Sequence, residues 1–264
     1  MEQKYQHVNI ISPILTGVSG LAPMRDGEIL PGDAVRIVDR HSSFYPIPTG
    51  NKDEFILIDS GMDRQARKLK RFLIERNLAI SAFVAGFLTH AHSDHVAGFN
   101  YLKGMPVYVG EHDRDVVVGI KHSQGFMPAS VDLIPKYLGG KIPDLEPLII
   151  SDDQVIEIGS LTIRGIAMNG HTDGSMGYLI GHRDKNEYVF YVGDSFDHSR
   201  RGKLRLPPRI VSANRNASSR SIINATRRII ESKHESSIPI ELRAVVPSHS
   251  GHRDFSSMRR YSNL

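Results

Sequence analysis

From Phe83 to His95 the chain runs without a break from a short apolar segment, F-V-A-G-F-L, into T-H-A-H-S-D-H, which packs four metal-ligating side chains into six residues. The apolar run has the length and make-up of a buried strand, so His90, His92, Asp94 and His95 stand where a strand gives way to a loop. Imidazole nitrogens and a carboxylate together suit a borderline cation such as zinc. Histidines this crowded repel one another when protonated and add little to a core, so a ligand cluster explains the stretch better than a histidine-rich surface loop does. The fold must therefore bring this strand end to a place where further ligands can meet it.

The pattern around it offers such ligands. Phe55–Ile58 reads as a strand ending in Asp59-Ser60-Gly61, and Asp63–Arg76 carries Ala66, Leu69, Phe72 and Leu73 on one helical face before the 83–88 strand. This is the strand–helix–strand rhythm of an α/β protein. Short helices are expected at Val96–Lys103 and Glu111–Val118, around a strand at Pro106–Val109. Further strands are expected at Val155–Ile158, Leu161–Ala167, Ser175–Ile180 and Glu187–Val192, at hairpin spacing, then a helix over Arg220–Glu231 and a strand at Ala244–Val246. Earlier, Val8–Leu15 and Ala34–Val38 read as strands, and Asp39–Asn51, with His41 and two prolines, as a surface loop or hairpin tip. Lys121–Pro147 reads as a lid or a pair of short helices. His171, Asp194 and His249 each follow closely on a predicted strand, and their recurrence beside the first cluster points to one assembled metal site.

These residues resemble the metallo-β-lactamase superfamily across nearly the whole chain. Its H-x-H-x-D-H motif matches His90, His92, Asp94 and His95; its later ligands match His171 in G-H-T-D-G-S, Asp194 in a G-D pair and His249 in S-H-S. Leu57-Ile58-Asp59-Ser60-Gly61 is similar to the family's L-I-D-T-G turn, whose aspartate supports the site from beneath. The resemblance implies an α/β (α+β) fold, a four-layer αββα sandwich of two mixed β-sheets flanked by helices, made by residues 1–264 as a single domain. It assigns His90, His92 and His171 to a first metal, Asp94, His95 and His249 to a second, and Asp194 to a bridge between them. Two zinc ions are the expected cofactors, with iron or manganese as alternatives at either site. The implied chemistry is hydrolysis by a hydroxide shared between the metals, with Asp94 as the catalytic residue that orients it or moves its proton.

Composition narrows the partners. The absence of cysteine removes disulfides, thiolate nucleophiles and Cys-ligated metals, and the net charge of +4 does not by itself recruit a polyanion. No stretch is long enough to span a membrane and the opening residues, with Glu2 and Lys4, do not read as a signal peptide, so a cytoplasmic location is expected. Nine basic residues and no acidic ones lie between Ser199 and Arg228. Arg200 and Arg201, at the start of that run just beyond Asp194, are candidates for holding an anionic group; Arg227 and Arg228 are expected to point outward from their helix. His198 and His252, close in sequence to Asp194 and His249, are candidates for facing the cleft, whereas Thr172 and Ser175 suit local hydrogen bonds in the His171 loop.

Relatives within the resemblance differ in what they carry. The antibiotic-hydrolysing members generally lack the bridging aspartate. The glyoxalase II type adds a C-terminal helical domain where only a short tail follows His249, and the N-acyl homoserine lactonases place a tyrosine where this chain has Ser195-Phe196-Asp197-His198. A small anionic ester, thioester or lactone is therefore the expected substrate. The alternatives are a phosphodiesterase or nuclease, with nucleic acid as a partner less favoured because no exosite arm is evident, a mono-iron persulfide dioxygenase, and a metal-binding sensor without turnover. Oligomeric state is open, a homodimer included.

Overall fold

Successive strand residues point to opposite faces, so a strand that is apolar at every position has to be covered on both sides. That arrangement holds in the computed structural model, which describes residues 21–125, 128, 141–201, 203–235 and 241–254, with the backbone alone for 230–235 and 254. The expected strand Val8–Leu15 and the stretch 129–140 of the Lys121–Pro147 segment lie outside these residues.

One six-stranded sheet has the order β1 (Ile37–Asp39), β2 (Ser42–Pro48), β3 (Phe55–Ile58), β4 (Phe83–Phe87), β5 (Val107–Gly110), β6 (Leu148–Ile150), antiparallel up to β3 and parallel from β3 onward. The other runs β14 (Arg253–Asp254), β13 (Glu241–Pro247), β10 (Glu187–Gly193), β9 (Met176–His182), β8 (Leu161–Ala167), β7 (Val155–Ile158); only the β10–β13 pair is parallel. A separate small ribbon joins β11 (Asp197–His198) to β12 (Leu204–Arg205).

Alternate residues feed different cores. Ile56, Ile58, Tyr178, Ile180, Val189, Tyr191, Ala244 and Val246 meet between the two sheets. Their neighbours face outward: Leu57 packs with Leu69, Phe72 and Leu73 of α1 (Arg67–Glu75), while Leu179, Phe190, Val192 and Val245 pack with Ile222, Ala225 and Ile229 of α4 (Arg215–Glu235). The result is the four-layer αββα sandwich of two mixed sheets. Two short helices, α2 (Ser93–Val96) and α3 (Arg114–Val117), follow β4 and β5. Among the described residues no helix is long and apolar enough to cross a membrane.

The helix expected over Asp63–Arg76 begins at Arg67, because Ala66 ahead of it is left-handed (φ +50), in a turn where the Asp63 carboxylate accepts the backbone N–H groups of Gln65 and Arg67. The helix expected over Arg220–Glu231 starts earlier, at Arg215, where the Asn214 side chain accepts the Ala217 N–H at 3.1 Å. The loop reading of Asp39–Asn51 is corrected: Ser42–Pro48 is strand β2, buried over almost its whole length. Its prolines are tolerated because the Pro46 carbonyl accepts from Val35 N at 3.0 Å, on the side away from β3, so the missing Pro46 N–H falls outside the β2–β3 ladder.

Two glycines let the site end close up. A Cβ on Gly98 would lie 2.1 Å from the Ser60 carbonyl oxygen, so glycine there lets the chain after α2 press against the end of β3. Gly193 (φ +55) ends β10 in a left-handed turn, and a Cβ there would lie 2.6 Å from Thr89 Oγ1.

Candidate metal centre

The ligand loops leave the carboxyl ends of β4, β8, β10 and β13. Because β8 and β13 run parallel to β10 within their sheet, all of these ends reach one edge of the sandwich. The seven residues read from the sequence as ligands come together there. His92 Nδ1 lies 3.1 Å from His90 Nε2 and 2.9 Å from His171 Nε2. Asp94 Oδ2 lies 3.6 Å from Nε2 of both His95 and His249. Asp194 sits between the two groups: Oδ2 is 3.4 Å from His171 Nε2, 3.8 Å from His90 Nε2 and 2.7 Å from His249 Nε2, and Oδ1 is 3.4 Å from His95 Nε2. His90–His92–His171, His90–His95–Asp194 and Asp94–His95–His249 each have the donor set and closeness to hold a metal ion.

The chemistry of the donors fits metal binding on independent grounds. Four of the five imidazoles give their second nitrogen to a protein acceptor: His90 Nδ1 to Thr89 Oγ1, His92 Nε2 to the Gln124 carbonyl, His95 Nδ1 to Asp59 and His249 Nδ1 to the His41 carbonyl. Donation there turns the other nitrogen of each ring inward. Burial opposes a charge on His95 and His249, yet Asp194 and Asp94 beside them hold His95 well above the ordinary histidine range and His249 up to about 10, so a cation would take the place of their inward protons. His95 Nε2 and Asp194 Oδ1 are buried with no hydrogen-bond partner, a state that protein interiors rarely leave uncompensated and that a cation resolves. Burial, with the neighbouring imidazoles, pushes His90 well below the ordinary histidine range and His171 down to about 3, so both present the neutral ligand form. Burial opposes the charges of Asp94 and Asp194, yet His95 and His41 beside Asp94, and His249 and His95 beside Asp194, hold both carboxyls well below the usual range.

Two buried carboxylates support this arrangement. Asp59, in a left-handed turn (φ +56) after β3, accepts His95 Nδ1, Thr89 N and Thr89 Oγ1 at 2.8–2.9 Å. Asp113, fully buried after β5, accepts the Ala91 N–H and the Thr172 hydroxyl, each at 2.8 Å. It thereby clasps the loop of His90 and His92 to the loop of His171. The sequence reading passed Asp113 over, although it carries the same signal that found the ligands, an acidic residue just past a predicted strand.

The residues read as facing the substrate are more dispersed. His198 is buried, its ring set edge-on to Phe196 and neither ring nitrogen hydrogen-bonded, and burial with the charges of Arg253 and His252 pushes it down to about 4. His252 Nδ1 lies 3.6 Å from Glu28 Oε2. Arg200 and Arg201 are exposed, with Arg253 Nη2 donating to the Arg200 carbonyl at 3.4 Å. Thr172 and Ser175 bond one another within the His171 loop. Further along the basic run, Ala213 N and Asn214 N donate to the carbonyls of His171 and Gly170, which ties the start of α4 to the ligand loop. Arg227 is exposed, whereas Arg228 is engaged by Asp152 and Asp153 ahead of β7. His41, read from the sequence as part of a surface connection, lies against the site, its Nε2 3.1 Å from Asp94 Oδ2.

Comparison with known proteins gives a consistent picture. The family model of the metallo-beta-lactamase superfamily matches residues 42–236. No curated protein sequence matches the chain. Among solved structures, a B3 metallo-beta-lactamase with an active-site glutamic acid superposes with a TM-score of 0.64 at 17% identity, covering 92% of this chain and 88% of its own. A subclass B3 metallo-beta-lactamase of Bradyrhizobium japonicum gives 0.58 at 17% identity, with 87% and 79% covered. A Cronobacter sakazakii metallo-beta-lactamase with a HARLDQ motif gives 0.56 at 19% identity, with 87% and 80% covered. At these identities the likeness is one of fold.

Proposed function

The chain belongs to the metallo-beta-lactamase superfamily, and from that premise we propose that it is a zinc-dependent hydrolase with a dinuclear site, acting on a small anionic ester, thioester or lactone. The observation that carries the reading is the place of Asp194, whose two carboxylate oxygens face both ligand groups at once. A lone carboxylate so placed suits two cations better than one.

In this reading His90, His92 and His171 hold one ion, Asp94, His95 and His249 the other, and Asp194 is shared. Bound metal supplies Lewis acidity to an incoming water and to the scissile carbonyl. The chain does the rest. Asp59 and Asp113 keep the imidazoles aimed, the Asp94 carboxylate orients the water or passes its proton on, and Arg200 and Arg201 hold the anionic end of the substrate. A phosphodiester substrate is the second reading. It is favoured by the exposed basic side chains of Arg200, Arg201, Lys203, Arg205, Arg209, Arg215 and Arg220, in an acid-free stretch tied to the site through Ala213 and Asn214.

Metal analysis with an activity panel of lactones, thioesters, bis-aryl phosphodiesters and a β-lactam tests this. Two ions per chain and turnover of an ester, thioester or lactone are expected, both lost in His92→Ala. Full metal loading with no hydrolysis of any class refutes the enzyme reading. Selective phosphodiester cleavage with steep salt dependence favours the second reading, and one iron with sulfite formed from persulfide points to a dioxygenase.

A further inference from the structure

The second group of ligands is gripped from outside by a hairpin that lies far from it in the sequence. β1 turns back into β2 at Arg40 (φ +61) and His41, and this tip reaches Asp94 and His249. His41 Nε2 lies 3.1 Å from Asp94 Oδ2, and Ser42 Oγ donates to the Asp94 carbonyl at 2.8 Å. The His41 carbonyl accepts the His249 Nδ1 proton at 2.6 Å, and the two rings stack 5.6 Å apart with planes 16° from parallel. Among the described residues no hydrogen bond joins this hairpin to His90, His92 or His171. Those side chains lean on Thr89, on the Gln124 carbonyl and on the loops clasped by Asp113.

We propose that His41 is a positioning residue for the second metal: its imidazole fixes the Asp94 carboxylate and backs the His249 ring, so the second ion depends on this hairpin and the first does not. The inference rests on the two-metal reading above. The division follows from what a substitution removes. His41→Ala deletes the contact to Asp94 and the stacked ring but keeps the main-chain carbonyl that fixes the His249 tautomer. Asp94 then loses the partner that selects its rotamer, and orienting partners of this kind are typically worth about 10–100-fold in metal affinity. His41→Gln returns an N–H at nearly the same reach and is expected to recover most of the loss. The His41 side chain is about one-fifth exposed at a hairpin tip, so neither change empties a core position.

The test is zinc titration by calorimetry of metal-free parent, His41→Ala and His41→Gln, with cobalt(II) absorption to tell the three-histidine site from the carboxylate-containing one. Expected are two ions in the parent, a second ion weakened about 10–100-fold in His41→Ala with the first within about threefold of the parent, and recovery in His41→Gln. Unchanged affinity for both ions in His41→Ala, or equal weakening of both, overturns the proposal. A parent that takes up only one ion fails the two-metal reading itself, before any variant is compared.

Discussion

Replacing Asp113 with alanine isolates the clasp between the loops that carry His90, His92 and His171. The carboxylate is fully buried and accepts two donors, Ala91 N–H and Thr172 Oγ1, each at 2.8 Å. In Asp113→Ala the Thr172 hydroxyl retains a partner, because Ser175 Oγ already lies 2.8 Å away. Ala91 N–H does not, and breaking a hydrogen bond to a charged group so that a buried donor is stranded costs about 1.5–3 kcal/mol. Against this, burial disfavours the Asp113 charge and raises its pKa, so deleting the carboxyl returns part of the loss. A net destabilisation of about 2 kcal/mol is expected in urea melts of the metal-free protein. The metal effect is separate. Ala91 lies between two ligands and Thr172 directly follows a third, so slack in either loop lowers affinity for the first ion by about 10–100-fold, or roughly 1.4–2.8 kcal/mol, read by competition with a zinc chelator. Zinc affinity within about twofold of the parent, alongside the lost stability, would show that Asp113 holds the fold and not the ligands.

Two further changes probe the residues beyond Asp194. An unfolded histidine titrates near 6.5 and folded His198 at about 4. The unfolded chain therefore takes this proton first as pH falls, and the stability tied to neutral His198 is full above pH 6.5 and is lost down to pH 4. The shift corresponds to about 3 kcal/mol. The stability of the parent minus that of His198→Phe, both metal-free, is expected to fall by about that amount between pH 7 and pH 4, and a difference that ignores pH refutes a buried neutral imidazole. Replacing Arg200 and Arg201 together with alanine is expected to raise KM several-fold for a carboxylate-bearing ester and spare a neutral one; equal effects on both tell against an anion-holding role.

Most of the strands and the candidate donors can be read from local patterns in the chain. β3, β4, β10 and β13 were legible because both faces of the sheets are covered there, which forces apolar runs, and β8 because Leu161 and Ile163 alternate with Thr162 and Arg164. The donors were legible because ligand identity resides in side-chain type, and each candidate stood just past such a run. Strand β2 was hidden by Pro46 and Pro48, whose harmlessness depends on a bond from Val35 that a local reading cannot supply. The tertiary structure alone decided how the donors converge: that Asp194 faces both groups, which nitrogen of each imidazole points inward, that Asp113 ties Ala91 to Thr172, and that His41 backs Asp94 and His249. These relations join residues 59 positions apart for Asp113 and Thr172 and 208 apart for His41 and His249. Short spacing can fix which atoms are offered, but where they meet is set by strand order and loop packing, which no local pattern encodes.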